Sequence, residues 1–191
     1  MIARYNIYFN AQQKLDAGVS SLTSKHKDNF NDFLPIYPYG TKEDASSMRT
    51  PMEETMKKAS KVIQNKPRSK WVDNAYFIIG QTQFFSGDYY SAIETFQFVN
   101  NSFTEEDIKA MSQLWLMKAY IQQDKLDDAE AIYGLLKKIK SNDVDFLSHL
   151  NLSAGDLMVK QGKYQLAREL LTKGLRKLND RTLKYRTHFV L

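Results

Sequence analysis

The chain has 191 residues, of which 42% are hydrophobic and 26% charged, a balance that suits one sizeable domain with a buried core. No apolar run reaches the roughly 18 residues that a membrane-spanning helix needs, and the opening "MIARYNIYFN" lacks the apolar core of a signal peptide. Cysteine is absent, which excludes disulfides and thiolate chemistry and leaves the redox compartment unread, while 27 Lys and Arg against 22 Asp and Glu give a net charge of +5.

In chain order, "ARYNIYFNAQQKLDAGVSSLTS" reads as an opening helix with Ile7, Tyr8, Ala11, Leu15 and Val19 on one side. "KHKDNFNDFLPIYPYGTKEDASSMR" then breaks the pattern at Pro35, Pro38 and Gly40 and is too long for a turn, which marks it as a functional or disordered insertion. Its aromatics decide between these for the first half: Phe33, Leu34, Ile36 and Tyr37 are expected to pack against the first helix hairpin and close that end of the fold. Tyr39 and "GTKEDASS" are expected to stay free for a partner. A second helix restarts at "TPMEETMKKASKVI", with Thr50 as cap, Pro51 in the first turn, Glu53 closing a capping box, and Met52, Met56, Ala59 and Ile63 on one face. Residues 1–66 thus read as a divergent hairpin with a long inserted loop at 25–49.

From residue 67 onward a repeat takes over. "GDYYSAIETF", "QDKLDDAEAIY" and "QGKYQLARELL" align Tyr89, Leu126 and Tyr164, then Ala92, Ala129 and Ala167, then Phe96, Tyr133 and Leu171. The alanines are 37 and 38 residues apart, slightly longer than the roughly 34-residue period of a common helix-hairpin repeat. Upstream of each lies a first helix, in "WVDNAYFIIGQTQFF", "AMSQLWLMKAYIQQ" and "SHLNLSAGDLMVKQ". Small residues at Gly80, Gly155 and the three alanines let antiparallel helices approach closely, with an aromatic or Leu filling the gap. The expected repeats span about 73–104, 110–143 and 148–180, and "DRTLKYRTHFVL" starts a further first helix. Because "HFVL" is no polar cap, the chain is expected to continue in a longer protein.

These residues, above all "YFIIGQTQFFSGDYYSAIETF", resemble the tetratricopeptide repeat (TPR) family. The resemblance implies an all-α, right-handed TPR-type solenoid of antiparallel hairpins, about nine helices in all. Met117 and Asp124 stand in repeat two where the family favours glycine. More narrowly, "ARYNIYFNAQQKL", "HKDNFNDFLPIYPY" and "KASKVIQNKPRSKWVDNAYFIIGQ" are similar to the N-terminal part of SprE/PorW proteins of Bacteroidetes, lipoproteins associated with gliding motility and type IX secretion. That resemblance implies a periplasmic, outer-membrane-associated scaffold that binds a protein or peptide of the cell envelope, with membrane contact only through a lipid anchor. An outer-membrane assembly role like that of the lipoprotein BamD is the alternative the same repeats allow.

Residues for catalysis do not converge. His26, His149 and His188 are scattered with no HExxH pair, so neither a metal nor a cofactor is expected, and no phosphate-binding loop or G-x-S-x-G elbow appears. The acidic pairs at 105–107 and 127–128 sit at helix starts, where they favour the helix dipole. Between Lys160 and Leu191 nine basic residues face Glu169 and Asp180 alone, which makes nucleic-acid binding through the C-terminal helices an alternative, although no aromatic platform accompanies them and nucleic acid is not the expected partner. A glycan-binding role through Tyr37, Tyr39 and Trp71 is a further alternative.

Binding is the expected function. The TPR resemblance puts a groove on the first helices of the repeats. Its members would be Asn74, Phe77, Gln81 and Phe85 in repeat one, Met111, Leu114, Lys118 and Gln122 in repeat two, and His149, Leu152, Asp156 and Lys160 in repeat three.

Overall fold

The computed structural model describes residues 2–28, 34–39, 49–65 and 67–191, and its described residues contain nine helices and no strand. These are α1 (Ile2–Lys25), α2 (Arg49–Asn65), α3 (Val72–Phe85), α4 (Tyr89–Ser102), α5 (Glu106–Gln122), α6 (Leu126–Leu136), α7 (Val144–Lys160), α8 (Tyr164–Leu175) and α9 (Arg181–Val190). None of them is long and apolar enough to cross a membrane.

One turn recurs in every hairpin of the repeats. At the ends of α3, α5 and α7 the chain takes a positive φ at Gly87 (77°), Asp124 (54°) and Gly162 (71°). The next amide then reaches back five residues, Asp88 to the Gln83 carbonyl, Lys125 to Tyr120 and Lys163 to Met158, which is the hydrogen-bond signature of a Schellman turn. Glycine takes this conformation without penalty, and aspartate is among the few other residues that enter it readily. Asp124 also gains a partner there, for the Lys160 ammonium lies 2.9 Å from its carboxylate and 3.0 Å from the Ile121 carbonyl. Aspartate caps open three helices: Asp88 accepts from Ser91, Asp143 from Asp145 and Phe146, and Asp180 from Leu183.

The contacts divide the chain into two compact units along lines other than the expected boundary at residue 66. Unit 1 holds Met1–Lys27 and Tyr39–Trp115, and unit 2 holds Asp28–Pro38 and Leu116–Leu191. The long helix α5 contributes its first part to one and its last part to the other.

In unit 1, α1 packs on α2 and α3, and α3 pairs with α4. Ala11, Leu15 and Leu22 carry the buried stripe of α1. Helix α2 begins one residue before its expected cap, at Arg49, so Thr50 lies inside the helix. Its buried face is Met52, Thr55, Ala59 and Val62, while Met56 and Ile63 are only half-buried. Thr55 tolerates burial because its hydroxyl donates to the Pro51 carbonyl at 2.8 Å. Ala92 is fully buried in the α3–α4 hairpin, and a Cβ added to Gly80 would meet the Phe96 ring at 2.6 Å. An aromatic cluster of Phe84, Phe85, Phe96 and Trp115 completes this core.

Unit 2 repeats the arrangement with different atoms. Gly155 of α7 takes the Leu171 side chain of α8, and Gly174 of α8 takes Leu152 of α7. Ala129 and Ala167 are buried to within 1% exposure, as the repeat pattern predicts. At the position of Gly80 and Gly155, repeat two carries Met117, which is fully buried.

The segment after α1 departs from expectation. Ile36 and Tyr37 are buried, at 1% and 7% exposure, but within unit 2 rather than against the first hairpin. Tyr39 is not free: its ring lies edge-on to Phe84 at 4.7 Å and to Phe85 at 6.3 Å in unit 1. Phe33 and the stretch 40–47 lie outside the described residues.

The tight α3–α4 approach makes a direct prediction. Replacing Ala92 by Leu should destabilise the protein by about 1–3 kcal/mol through overpacking. Thermal or urea unfolding checks this, and a wild-type midpoint in the variant would contradict the buried crossing.

Candidate functional site

The first helix of each hairpin spends one face on its own second helix, and the other is left for something else. In unit 2 that something is the protein's own chain. Asp28 and residues 35–37 meet Lys118 in the last part of α5, His149, Ser153 and Asp156 in α7, and Arg186 in α9.

Tyr37 is the anchor. Its hydroxyl lies 3.0 Å from His149 Nδ1 and 3.3 Å from the His149 carbonyl, and Ser153 Oγ donates to it at 3.4 Å. The phenol ring stacks on the His149 imidazole with centroids 6.0 Å apart. On the ring sits Lys118 Nζ, 4.1 Å from the centroid, within the range of a cation–π contact. Main-chain groups are read as well: the Ile36 N–H donates to the Asp156 carboxylate, and Arg186 Nε donates to the Pro35 carbonyl at 2.8 Å. Arg186 also pairs with Asp28 at 2.6 Å, which ties down the start of the segment.

Burial shifts four titratable groups around Tyr37 away from their charged forms. It pushes the Asp156 carboxyl up to about 6, against the pull of Lys160, the Ile36 N–H and Lys118. The Lys118 ammonium comes down to about 7, opposed by Asp156. The Tyr37 phenol is raised well above its ordinary value, with Ser153 opposing. His149 is lowered to about 4 by burial and by the Lys118 cation, against Asp180 and Asp143. His149 is therefore neutral and the Tyr37 phenol protonated, with one O–H to offer to the two His149 atoms beside it.

The twelve sequence-derived groove positions fall into distinct environments. Lys118, His149 and Asp156 converge on the Tyr37 segment. Lys160 is exposed and bonds the α5 turn. Leu114 and Leu152, at 1% and 0% exposure, are core residues closed to a ligand, because Leu114 is enclosed within unit 1 and Leu152 fills the space over Gly174. Phe85 is also core, packed on Trp115 and Tyr39. Gln81 is buried, whereas Phe77, which tilts against Phe96, and Gln122 are half-buried. Asn74 and Met111 line a depression of about 390 Å³ in unit 1 with Trp71, Lys70 and Glu105.

Sequence reasoning did not find Ser153 or Arg186, nor did it assign Tyr37 its place. A lysine inside "LWLMKAYI" and an aspartate inside "LSAGDLM" were the available signals, since each interrupts an apolar helix where burial demands a partner.

Of the rings named for a glycan, Tyr37 stacks on His149, Trp71 stacks on Tyr8 at 5.0 Å, and Tyr39 lies edge-on to Phe84. Of the nine basic residues after 159, Lys160, Lys163 and Arg186 pair with Asp124, Glu130 and Asp28. Among the described residues no group of three His, Cys, Asp or Glu could hold a metal ion.

The depressed His149 value predicts how acid acts here. Its contribution to stability is complete above the unfolded value near 6.5 and is lost as pH falls through about 4. Asp156 runs the other way, its contribution present below the ordinary 3.8 and lost as pH rises through about 6. Because the two oppose in overlapping windows, the readout must be site-specific. Nitrogen NMR of His149 should show a neutral ring down to pH 5. Relative to His149→Gln, the wild type should lose stability between pH 6.5 and 4. A ring that protonates near 6.5 would contradict this environment.

Comparison with known proteins agrees with the hairpin architecture. The family profile described as a tetratricopeptide repeat-like domain matches residues 41–190, which include every helix from α2 to α9. A search of the curated proteins found no significant match. With more than half of its length covered by that profile, the chain belongs to the tetratricopeptide repeat-like domain family.

Proposed function

We propose that the protein is a non-catalytic scaffold that binds a segment of another protein on the inner face formed by the first helices of its repeats. One observation carries this reading: in unit 2 that face already holds a non-helical peptide segment, residues 34–37 of the same chain, by side-chain and main-chain contacts together. Peptide recognition needs both, because main-chain bonds hold any extended segment while pockets select its side chains. Family membership supports it, since helical repeats of this kind present their first helices as binding surfaces.

The partner belongs to the cell envelope, and the chain is the N-terminal portion of a larger periplasmic lipoprotein of secretion or motility. This finer reading rests on the similarity of "ARYNIYFNAQQKL", "HKDNFNDFLPIYPY" and "KASKVIQNKPRSKWVDNAYFIIGQ" to SprE/PorW proteins.

A photocrosslinking residue placed at Gln122, on a first helix in unit 2, should capture a protein partner in cells, in the envelope fraction. The same residue at Glu94 or Glu169, exposed on second helices, should not. Adducts from the second helices alone would reverse the assignment of the binding face. Lys118→Met adds a second test. It keeps the stem's packing and removes a buried charge, so stability should stay within about 1 kcal/mol of wild type. Capture at Gln122 should nevertheless fall.

A further inference from the structure

We propose that residues 34–38 are a built-in occupant of the unit 2 groove, and that the external partner displaces them with a segment of the same chemistry: non-helical and bent, with a proline, then an aliphatic residue, then a tyrosine. The proposal deepens the binding reading above and rests on it.

The groove itself specifies this ligand. Arg186 donates to the carbonyl of Pro35 and Asp156 accepts the amide of Ile36, so two consecutive residues are held by their main chain. These bonds are independent of side-chain identity and would serve any peptide that takes the same backbone course. Selectivity comes next along the chain. The Tyr37 ring packs against both the Lys118 ammonium and the His149 imidazole, and its hydroxyl meets His149 and Ser153. Phenylalanine would fill the same space and leave the His149 acceptor unserved, so tyrosine is preferred. Proline at 35 has no amide to satisfy and pre-sets the backbone, which lowers the entropy lost on binding.

The position of the segment in the chain argues for an occupant over a core element. Residues 28–38 belong to unit 2, while the sequence on both sides, through Lys27 and from Tyr39, belongs to unit 1. The hairpins of unit 2 are complete without them, with α7 closed on α8 through Gly155 and Gly174. What they cover is a set of ionisable side chains, Lys118, Asp156 and His149, an unfavourable lining for a permanent core and a favourable one for a surface that exchanges ligands.

A tethered occupant competes at an effective concentration on the order of 1 mM. Against it a free peptide of comparable intrinsic affinity appears about ten- to a hundredfold weaker than its true affinity.

The probe is the labelled decapeptide NDFLPIYPYG, residues 31–40, titrated by fluorescence anisotropy into the full chain. Wild type should bind it weakly and Tyr37→Ala about ten- to a hundredfold more tightly, with a peptide carrying Phe for Tyr at the same position binding less well than the original. Pro35→Gly serves as the mild variant in case Tyr37→Ala folds poorly. Pro35 is exposed, and freeing its backbone should raise peptide affinity by about two- to fivefold with helicity intact. Equal affinity for wild type and Pro35→Gly, or no binding to either, overturns the proposal. A dimer that grows with protein concentration and dissolves on adding peptide would assign the occupant to a second copy, which also overturns it. Crosslinking at Gln122 that persists alongside a negative peptide result would leave the binding reading standing and remove only this inference.

Discussion

Everything in this protein depends on how closely paired helices approach at their small residues. Where Phe96 presses on Gly80, and Leu171 on Gly155, even a Cβ has no room, so the hairpin has one register. The Schellman turns at Gly87, Asp124 and Gly162 deliver each second helix to that contact with the same geometry. With α8 on one face of α7, the other face of α7, the last part of α5 and α9 carry the contacts to residues 35–37. Function follows from what the packing leaves over.

In unit 2 the remaining face is polar in a way that a core would not choose. Burying Ile36 and Tyr37 stabilises the covering segment by roughly 1.5–3 kcal/mol each. Against this stands the desolvation of Lys118 and Asp156, which costs several kcal/mol per ion unless pairing or neutralisation intervenes. The pKa directions show neutralisation at work: Asp156 is pushed towards its protonated form and Lys118 towards its neutral one. On the proposal above, this opposition between apolar burial and desolvation is what makes the segment exchangeable for an external peptide.

The architecture was legible because it rests on local spacing. Ala92, Ala129 and Ala167 announce the hairpins at a period that no other feature of the sequence produces, and all three are buried as that period implies. The face of α2 was legible only approximately, since Met56 and Ile63 look more apolar than Thr55 and yield to it because a threonine hydroxyl can bond its own helix. The inner site was harder to read. Lys118, His149 and Asp156 follow from the repeat pattern, but Tyr37 lies 112 residues from His149 in sequence, and no periodicity carries a contact of that range. The "FLPIYPY" pattern does say that its aromatics must be buried. It does not say where, and the hairpin nearest in sequence proved to be the wrong destination.

The central claim is that Tyr37 packs against both Lys118 and His149, and proton NMR of the full chain reads it most directly. A methylene held over an aromatic ring is shifted upfield by the ring current. With Nζ 4.1 Å above the Tyr37 centroid, the Lys118 ε protons should resonate well upfield of the other lysines and show cross-relaxation to the Tyr37 ring. Tyr37→Leu should return them to the common lysine position. Lys118 ε protons that already lie there in the wild type, with no cross-peak to Tyr37, would contradict the account.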